Sequence, residues 1–145
     1  WDLGMSLGSK GMGSIQMTIL LLQLATYIKK YKNANFYHPT IMIEEPEQNL
    51  HPKVQSKLAE LFFYINKKYK FRFLIETHSE YMIRKSQVLW AGMEKDILLG
   101  NPFSVYYFPI EKTPYQMIYK DSGDFENEFE EGFFDEATNL IYQIL

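Results

Sequence analysis

Two short apolar segments, each ending in a cluster of ionisable side chains, constrain the fold of this chain more than any other feature. The first covers residues 40–43 and runs into Glu44 and Glu45; the second covers 71–75 and runs into a Glu-Thr-His sequence. Apolar, β-branched runs of this length are typical of parallel strands that are covered on both faces. Between them, apolar residues recur with helical spacing over 54–65. This strand–helix–strand order predicts a right-handed βαβ unit with a parallel sheet.

The remaining periodicities predict further helices and a late pair of strands. A first helix, 14–31, is apolar around most of its circumference, which predicts burial on more than one side. The helix after the second strand is expected to be capped by Thr77, with Glu80 completing a capping box. The predicted class is therefore α/β, with a mostly parallel sheet flanked by helices. The last elements are expected to be strands over 102–109 and 115–119 and a C-terminal helix from about 133 to 145.

Composition narrows the class of protein. The chain has 145 residues, 46% hydrophobic and 23% charged, as is usual for one soluble globular domain. It contains no cysteine, which excludes disulfides, thiolate metal sites and a cysteine nucleophile and fits a cytoplasmic location. Its longest uncharged run, about 11–28, is interrupted by polar residues and falls short of the roughly 20 apolar residues of a membrane span. No membrane partner is predicted.

The ionisable residues concentrate where the two predicted strands end. The carboxyl ends of neighbouring parallel strands meet at one edge of a sheet, so Glu44, Glu45 and His78 are expected in one crevice. Because side chains alternate along a strand, the two consecutive acids are expected to have different roles. One carboxylate can hold Mg²⁺ through a water, and the other can orient or deprotonate an attacking water. The histidine can hydrogen-bond a terminal phosphate.

The segment Thr40-Ile-Met-Ile-Glu-Glu-Pro-Glu-Gln-Asn-Leu-His-Pro52 resembles the Walker B strand and D-loop of ABC-type ATPases. The similarity is strongest to the soluble branch, which includes SMC-like repair ATPases, the OLD ATPases and related predicted ATPases. The resemblance implies that Glu44 takes the Mg²⁺ position and Glu45 the catalytic glutamate position. It also implies that Leu50 and His51 lie in the D-loop, which crosses the dimer interface in this family.

Two further segments extend the resemblance over much of the chain. Residues 73–80 resemble the H-switch strand, with His78 as the histidine that senses the γ-phosphate. Residues 11–16 lie where the family has its signature, just before a helix, and Gly11 stands where most members have serine. The resemblance implies that this segment contacts the nucleotide bound by a partner subunit, through the residues Gly11, Gly13, Ser14 and Gln16.

One expected motif is absent from the 145 residues. No Gly-x-x-x-x-Gly-Lys-Ser/Thr sequence occurs, so no phosphate-binding loop is available. Residues 1–145, opening on Trp1, are therefore interpreted as the C-terminal part of an ABC-type ATPase domain. The expected partners are the N-terminal half of that domain and a second copy that closes around ATP and Mg²⁺. The fragment is expected to be inactive alone.

Two other functions stay open at this point. A non-catalytic interaction module would have the same fold with a degenerate site. A metal-dependent nuclease or hydrolase would use His38, His51 and His78 together with the acids. Nucleic acid is a further candidate partner, because basic residues cluster at 29–32 and 67–72, although both clusters also suit the C-terminal ends of helices.

Overall fold

The predicted strand–helix–strand unit is present in the computed structural model, which describes residues 11–33, 38–95 and 100–144 apart from the side chain of residue 137. The two central strands pair in parallel, with Thr40 opposite Arg72 and Glu44 opposite Glu76. The predicted α/β class is therefore confirmed. In chain order, the elements are α1 (Met12–Tyr31), β1 (Thr40–Glu44), α2 (Pro52–Tyr69), β2 (Arg72–Glu76), α3 (Glu80–Ala91), β3 (Val105–Tyr107), β4 (Tyr115–Met117) and α4 (Glu136–Tyr142).

The chain divides into two compact units, Trp1–Ile83 and Arg84–Leu145. The core of the first unit forms where α2 packs on one face of the β1–β2 sheet. Leu58, Phe62 and Ile65 repeat at helical spacing on the buried side of α2, and Phe71 is fully buried beside them. Removing each such side chain from water stabilises the unit by about 1.5–3 kcal/mol.

The other face of this sheet is open among the described residues. Met42 is 75% exposed and Leu74 is 58% exposed, whereas Ile43 and Ile75 pack against the core. The helix α1 is open in the same way, because Leu24 is buried while apolar side chains such as Leu22 are exposed. The expectations that both strands are covered on two faces and that α1 is buried on several sides are therefore wrong for the described residues. Here the helices of the unit cover one face of the sheet only.

The cap of α3 also differs from the sequence prediction. The hydroxyl of Ser79, not that of Thr77, accepts the N–H of Met82 at 3.1 Å and so caps the helix. The Thr77 hydroxyl instead accepts the N–H of Ser79, also at 3.1 Å. Glu80 consequently becomes the first helical residue and cannot complete the predicted capping box.

The second unit is organised around aromatic rings. β3 and β4 pair antiparallel, and Met117 and Tyr107 between them are buried. The ring of Phe129 contacts its neighbours with centroids 4.7–5.7 Å apart. The rings that contact Phe129 are those of Tyr107, Phe125, Phe133 and Phe134. The strands β3 and β4 are both shorter than predicted, and α4 begins at Glu136 rather than near residue 133.

Hydrogen bonds satisfy polar side chains of this unit. The indole of Trp90 donates to the carbonyl of Lys120 at 2.9 Å, and the hydroxyls of Ser86 and Tyr119 are 2.6 Å apart. Gly123 has φ 94°, and a Cβ there would lie 2.6 Å from the carbonyl oxygen of Gln87, so only glycine fits. No helix in the described ranges combines the length and the apolarity that crossing a bilayer requires.

Candidate active site

The parallel ladder places the predicted catalytic acids at the edge of the sheet. The N–H of Glu45 donates to the carbonyl of Glu76 at 3.0 Å, one residue beyond the end of β1. There the chain leaves the strand, because Glu45 has a left-handed backbone with φ 41°. Such a conformation is uncommon for a residue with a side chain. It interrupts the alternation of the strand, so the carboxylate of Glu45 turns towards β2 while Glu44 remains exposed.

Glu45 and His78 come together as the sequence predicts. Glu45 Oε1 lies 3.5 Å from His78 Nε2, and the two side chains are 42% and 68% exposed. This separation is longer than the usual N–H···O hydrogen bond of about 2.9–3.0 Å. A carboxylate and an imidazole, both partly exposed, thus lie side by side at the ends of the paired strands. A carboxylate in such a place can orient a water, and an imidazole can hydrogen-bond a phosphate group.

Glu47 links the turn after β1 to the end of β2, a role that sequence reasoning missed. The residue is 8% exposed, and its Oε1 accepts the main-chain N–H of His78 at 2.8 Å. Its other oxygen, Oε2, is buried and accepts no hydrogen bond from the described residues. In the sequence, Glu47 is a turn residue next to a proline, and no periodic signal marks it as an inward-facing group.

A series of side-chain amides joins Glu45 to α1. Gln48 Nε2 donates to Glu45 Oε2 at 3.1 Å. Gln16 Nε2 donates to Gln48 Oε1 at 3.2 Å, and Asn49 Nδ2 donates to Gln16 Oε1 at 3.3 Å. The side chain of Gln16, a predicted signature residue, therefore lies on the turn after β1 of the same chain. Its contact with a nucleotide held by a second copy stays a prediction.

The other predicted signature residues lie at the beginning of α1. Gly11 is the N-cap, and its carbonyl accepts the N–H of Ser14 at 2.9 Å. Gly11 and Ser14 are exposed, whereas Gly13 is buried against the turn after β1. A Cβ at Gly13 would lie 2.2 Å from the carbonyl oxygen of Asn49, so the two backbones approach as closely as they do only because residue 13 is glycine.

The predicted D-loop residues form the connection to α2. Leu50 is half-buried against the core of the first unit. His51 is the exposed N-cap of α2, and its Nδ1 accepts the N–H of Lys53 at 3.2 Å. Pro52 follows as the first helical residue, as predicted.

A cleft of about 580 Å³ opens between α1 and the ends of the strands. This volume lies within the range of small-ligand sites. Among the described residues, its charged lining groups are the three carboxylates of Glu44, Glu45 and Glu76, and no described lysine or arginine lines it. These three groups alone repel the phosphates of a nucleotide. The full lining is Gln16, Ile19, Leu20, Gln23, Ile43, Glu44, Glu45, Pro46, Gln48 and Glu76.

The chemistry of these donors fits a magnesium ion carried by a nucleotide better than a resident metal. Among the described residues, no three His, Asp or Glu side chains are grouped closely enough to hold a metal ion. Mg²⁺ needs only one or two carboxylates when phosphate oxygens and waters complete its shell, and Glu44 can supply one. The alternative of a metal-dependent nuclease or hydrolase built on the histidines is not supported. His38 lies before β1, whereas His78 lies beyond the opposite end of the paired strands.

Comparison with known proteins places these residues in a family. The model of the family described as AAA ATPase domain matches residues 2–83. The energy-coupling factor transporter ATP-binding protein EcfA2 of Mycoplasma capricolum is 31% identical over 91 residues. That match covers 56% of this chain and 32% of the relative, so the chain spans about a third of that protein's length.

A solved structure also aligns with most of the chain. It comes from work on ATP-driven dimerization and DNA-stimulated activation of SMC ATPases. The alignment covers 94% of this chain and 63% of that one, with a TM-score of 0.48 and 14% identity.

Proposed function

The chain belongs to the AAA ATPase domain family, and on this premise we propose that its strand-end cluster hydrolyses ATP with Mg²⁺. The observation that carries the proposal is the approach of Glu45 Oε1 to His78 Nε2, 3.5 Å apart at the ends of two paired parallel strands. In this proposal Glu45 is the catalytic carboxylate, which orients or deprotonates the attacking water. His78 donates a hydrogen bond to the terminal phosphate.

The neighbouring acids have separate roles in the proposed site. Glu44, exposed at the end of β1, holds Mg²⁺ through a water. When bound, Mg²⁺ neutralises the charge that develops on the phosphate oxygens. Glu47 does not touch the reacting atoms; by accepting the N–H of His78 it fixes the backbone that carries the imidazole.

The acidic cleft explains why these residues are proposed to act only as part of a larger domain. The charged groups that line the cleft in the described part of the chain are three carboxylates, which cannot hold the β- and γ-phosphates. We propose that the half of the domain with the phosphate-binding loop supplies these contacts and covers the open sheet face at Met42 and Leu74. The 145-residue chain alone is then inactive.

A second copy completes the proposed site. Gly11 and Ser14 are exposed where α1 begins, and the first turn of that helix contains no acidic residue. The partial positive charge of a helix N-terminus suits a phosphate group. We propose that two copies close around two ATP molecules, each presenting this turn, together with Leu50 and His51, to the nucleotide of the other. Association then follows ATP binding and is released by hydrolysis.

The test is ATP turnover by the full-length protein, wild type against Glu45→Gln. Removing a general base lowers turnover by about 10²–10⁴-fold. The variant is expected to bind ATP and to accumulate as a dimer. Glu60→Gln is the matched control, because Glu60 lies on α2 and pairs with Lys57 at 2.6 Å rather than lining the cleft.

Two outcomes contradict the proposal. Equal turnover by wild type and Glu45→Gln shows that Glu45 is only a strand-end acid. A wild type that binds Mg²⁺-ATP but never hydrolyses it favours the non-catalytic interaction module instead.

A further inference from the structure

We propose that Gln48 is a positioning residue for Glu45, and that it makes the orientation of this carboxylate depend on the first turns of α1. The inference rests on the proposed function, in which Glu45 is the catalytic carboxylate. It adds a residue that acts through Glu45 by deciding where the catalytic oxygen points.

The carboxylate of Glu45 fixes the orientation of Gln48. A carboxylate only accepts hydrogen bonds, so the group of Gln48 that faces Glu45 Oε2 must be the amino group. The carbonyl oxygen of Gln48 then faces Gln16 and accepts from its amino group, and the carbonyl oxygen of Gln16 accepts from Asn49. Each amide thus sets the orientation of the next, and the series joins the carboxylate to α1.

Glu45 needs such a constraint because it is only partly enclosed. Its side chain is 42% exposed, and its Oε1 lies 3.5 Å from His78, too far for a short, well-aligned hydrogen bond. The bond from Gln48 to Oε2, at 3.1 Å, is the closer of these two contacts. Without it, the carboxylate can leave the rotamer that directs Oε1 towards His78. A displacement of about 1 Å in a catalytic group can lower a rate by up to about 10²-fold.

The backbone couples this series to α1. Glu45 and Asn49 both have left-handed backbones, with φ 41° and 60°, and they bracket the tight turn that carries Gln48. The same turn lies against Gly13. A movement of the first turns of α1 therefore displaces the Gln16 amide and the turn together. In the proposed dimer, phosphate contact at the beginning of α1 would in this way adjust Glu45 in the site of the same copy.

Two substitutions at Gln48 in the full-length protein test the inference. Gln48→Leu removes both hydrogen bonds at similar size. Gln48→Glu keeps an acceptor for Gln16 but replaces the donor to Glu45 with a second carboxylate oxygen. Both are expected to lower kcat by about tenfold or more. KM for ATP should stay within about twofold in Gln48→Leu, whereas the added carboxylate of Gln48→Glu, on the lining of the cleft, is expected to raise KM. Gln143→Leu, at an exposed glutamine of the second unit, is the matched control and should leave kcat unchanged.

A purely structural role gives a different pattern. If Gln48 only fastens the turn to α1, Gln48→Glu keeps wild-type kcat, and the inference is overturned. Wild-type kcat in both variants overturns it as well. Combining Gln48→Leu with Glu45→Gln separates misfolding from mispositioning. The double variant should bind ATP as Glu45→Gln does and show no further loss of turnover, since Gln48 acts through Glu45. Loss of ATP binding there would assign Gln48 to folding.

The two proposals fail separately. If Glu45→Gln hydrolyses ATP at the wild-type rate, the proposed function fails whatever Gln48 does. If Glu45→Gln is inactive while both Gln48 variants are normal, the proposed function stands and only the positioning role is lost.

Discussion

The two units of this chain use opposite ways of treating polar groups. In the first, an aliphatic core supports strand ends where Glu45 and His78 remain accessible to solvent. In the second, polar groups among the aromatic rings are already hydrogen-bonded: the hydroxyl of Tyr119 pairs with that of Ser86, and its ring packs against Phe103 and Phe125. Reactive groups need room for a substrate, whereas satisfied groups rigidify a fold. The comparison supports placing the proposed chemistry in the first unit.

Backbone conformation points the same way. In the first unit, three described residues with side chains have left-handed backbones: Glu45 lines the cleft and Asn49 lies in the turn after β1, whereas Lys70 ends α2. In the second unit, the left-handed positions among the described residues are the glycines Gly100, Gly123 and Gly132. Glycine adopts this conformation without strain, whereas other residues retain it at a cost of roughly 1–3 kcal/mol. Two of these three residues, Glu45 and Asn49, thus lie in the turn that carries the proposed site, and the third closes a helix.

Core truncation is expected to have the largest effect and tests whether the units are energetically separate. Phe71→Ala removes a fully buried ring from the first unit and should cost about 3–5 kcal/mol. Met117→Ala removes a side chain that is 1% exposed in the second unit and should cost about 2–5 kcal/mol. Hydrogen exchange on the full-length protein should show each loss mainly within its own unit. Equal loss in both units after either change would remove the distinction.

Substitutions of two glycines at the beginning of α1 test whether the close contact between this helix and the turn after β1 stabilises the first unit. Gly13→Ala places a Cβ 2.2 Å from a main-chain oxygen, so the helix and the turn must separate, at about 1–3 kcal/mol. Gly11→Ala is the control, because no atom lies within 4 Å of its added Cβ, and should cost less than about 1 kcal/mol. The melting temperature should fall for Gly13→Ala and stay close to the wild-type value for Gly11→Ala. Similar results for the two variants would mean that the close approach has no role.

A pH effect in the second unit is the smallest expected change. Burial raises the pKa of Tyr119 to about 12, although the hydrogen bond to Ser86 opposes the shift. In the unfolded chain the pKa is about 10, so the folded state holds this proton more tightly. The free energy of folding that this pKa shift contributes, about 2–3 kcal/mol in total, is fully present below about pH 10. It is lost as the pH rises towards about 12.

Denaturant unfolding at pH 9 and pH 11 measures this effect. The wild type should lose about 1 kcal/mol more than Tyr119→Phe over that interval, since the variant has no proton to release there. An equal loss in both proteins would show that Tyr119 is not the group responsible.

The elements that carry the site were predictable because their signals are local. The apolar runs before Glu44 and Glu76 and the helical pattern between them are sufficient to place both strand ends at one edge. The approach of His78 to Glu45 follows from parallel pairing alone. Asn49 carried a weaker signal, because asparagine tolerates a left-handed backbone better than most residues.

The contacts that refine the site were not predictable, because they depend on the geometry of one turn. Nothing in the sequence around Glu47 and Gln48 indicates that one faces His78 and the other Glu45. The predicted cap of α3 was wrong for a related reason. Thr77 and Ser79 lie two positions apart, and both have a hydroxyl that can cap a helix. The open sheet face could not be foreseen either, because a strand's sequence does not show which layers will cover it.

The most direct test of the division between the units is ATP turnover per folded molecule, measured for full-length Glu45→Gln beside Met117→Ala. We predict that Glu45→Gln melts like the wild type but loses about 10²-fold or more of its turnover. Below its lowered melting temperature, Met117→Ala should turn over ATP at close to the wild-type rate. Normal turnover by Glu45→Gln, or inactivity of folded Met117→Ala, would contradict the assignment of the chemistry to the first unit.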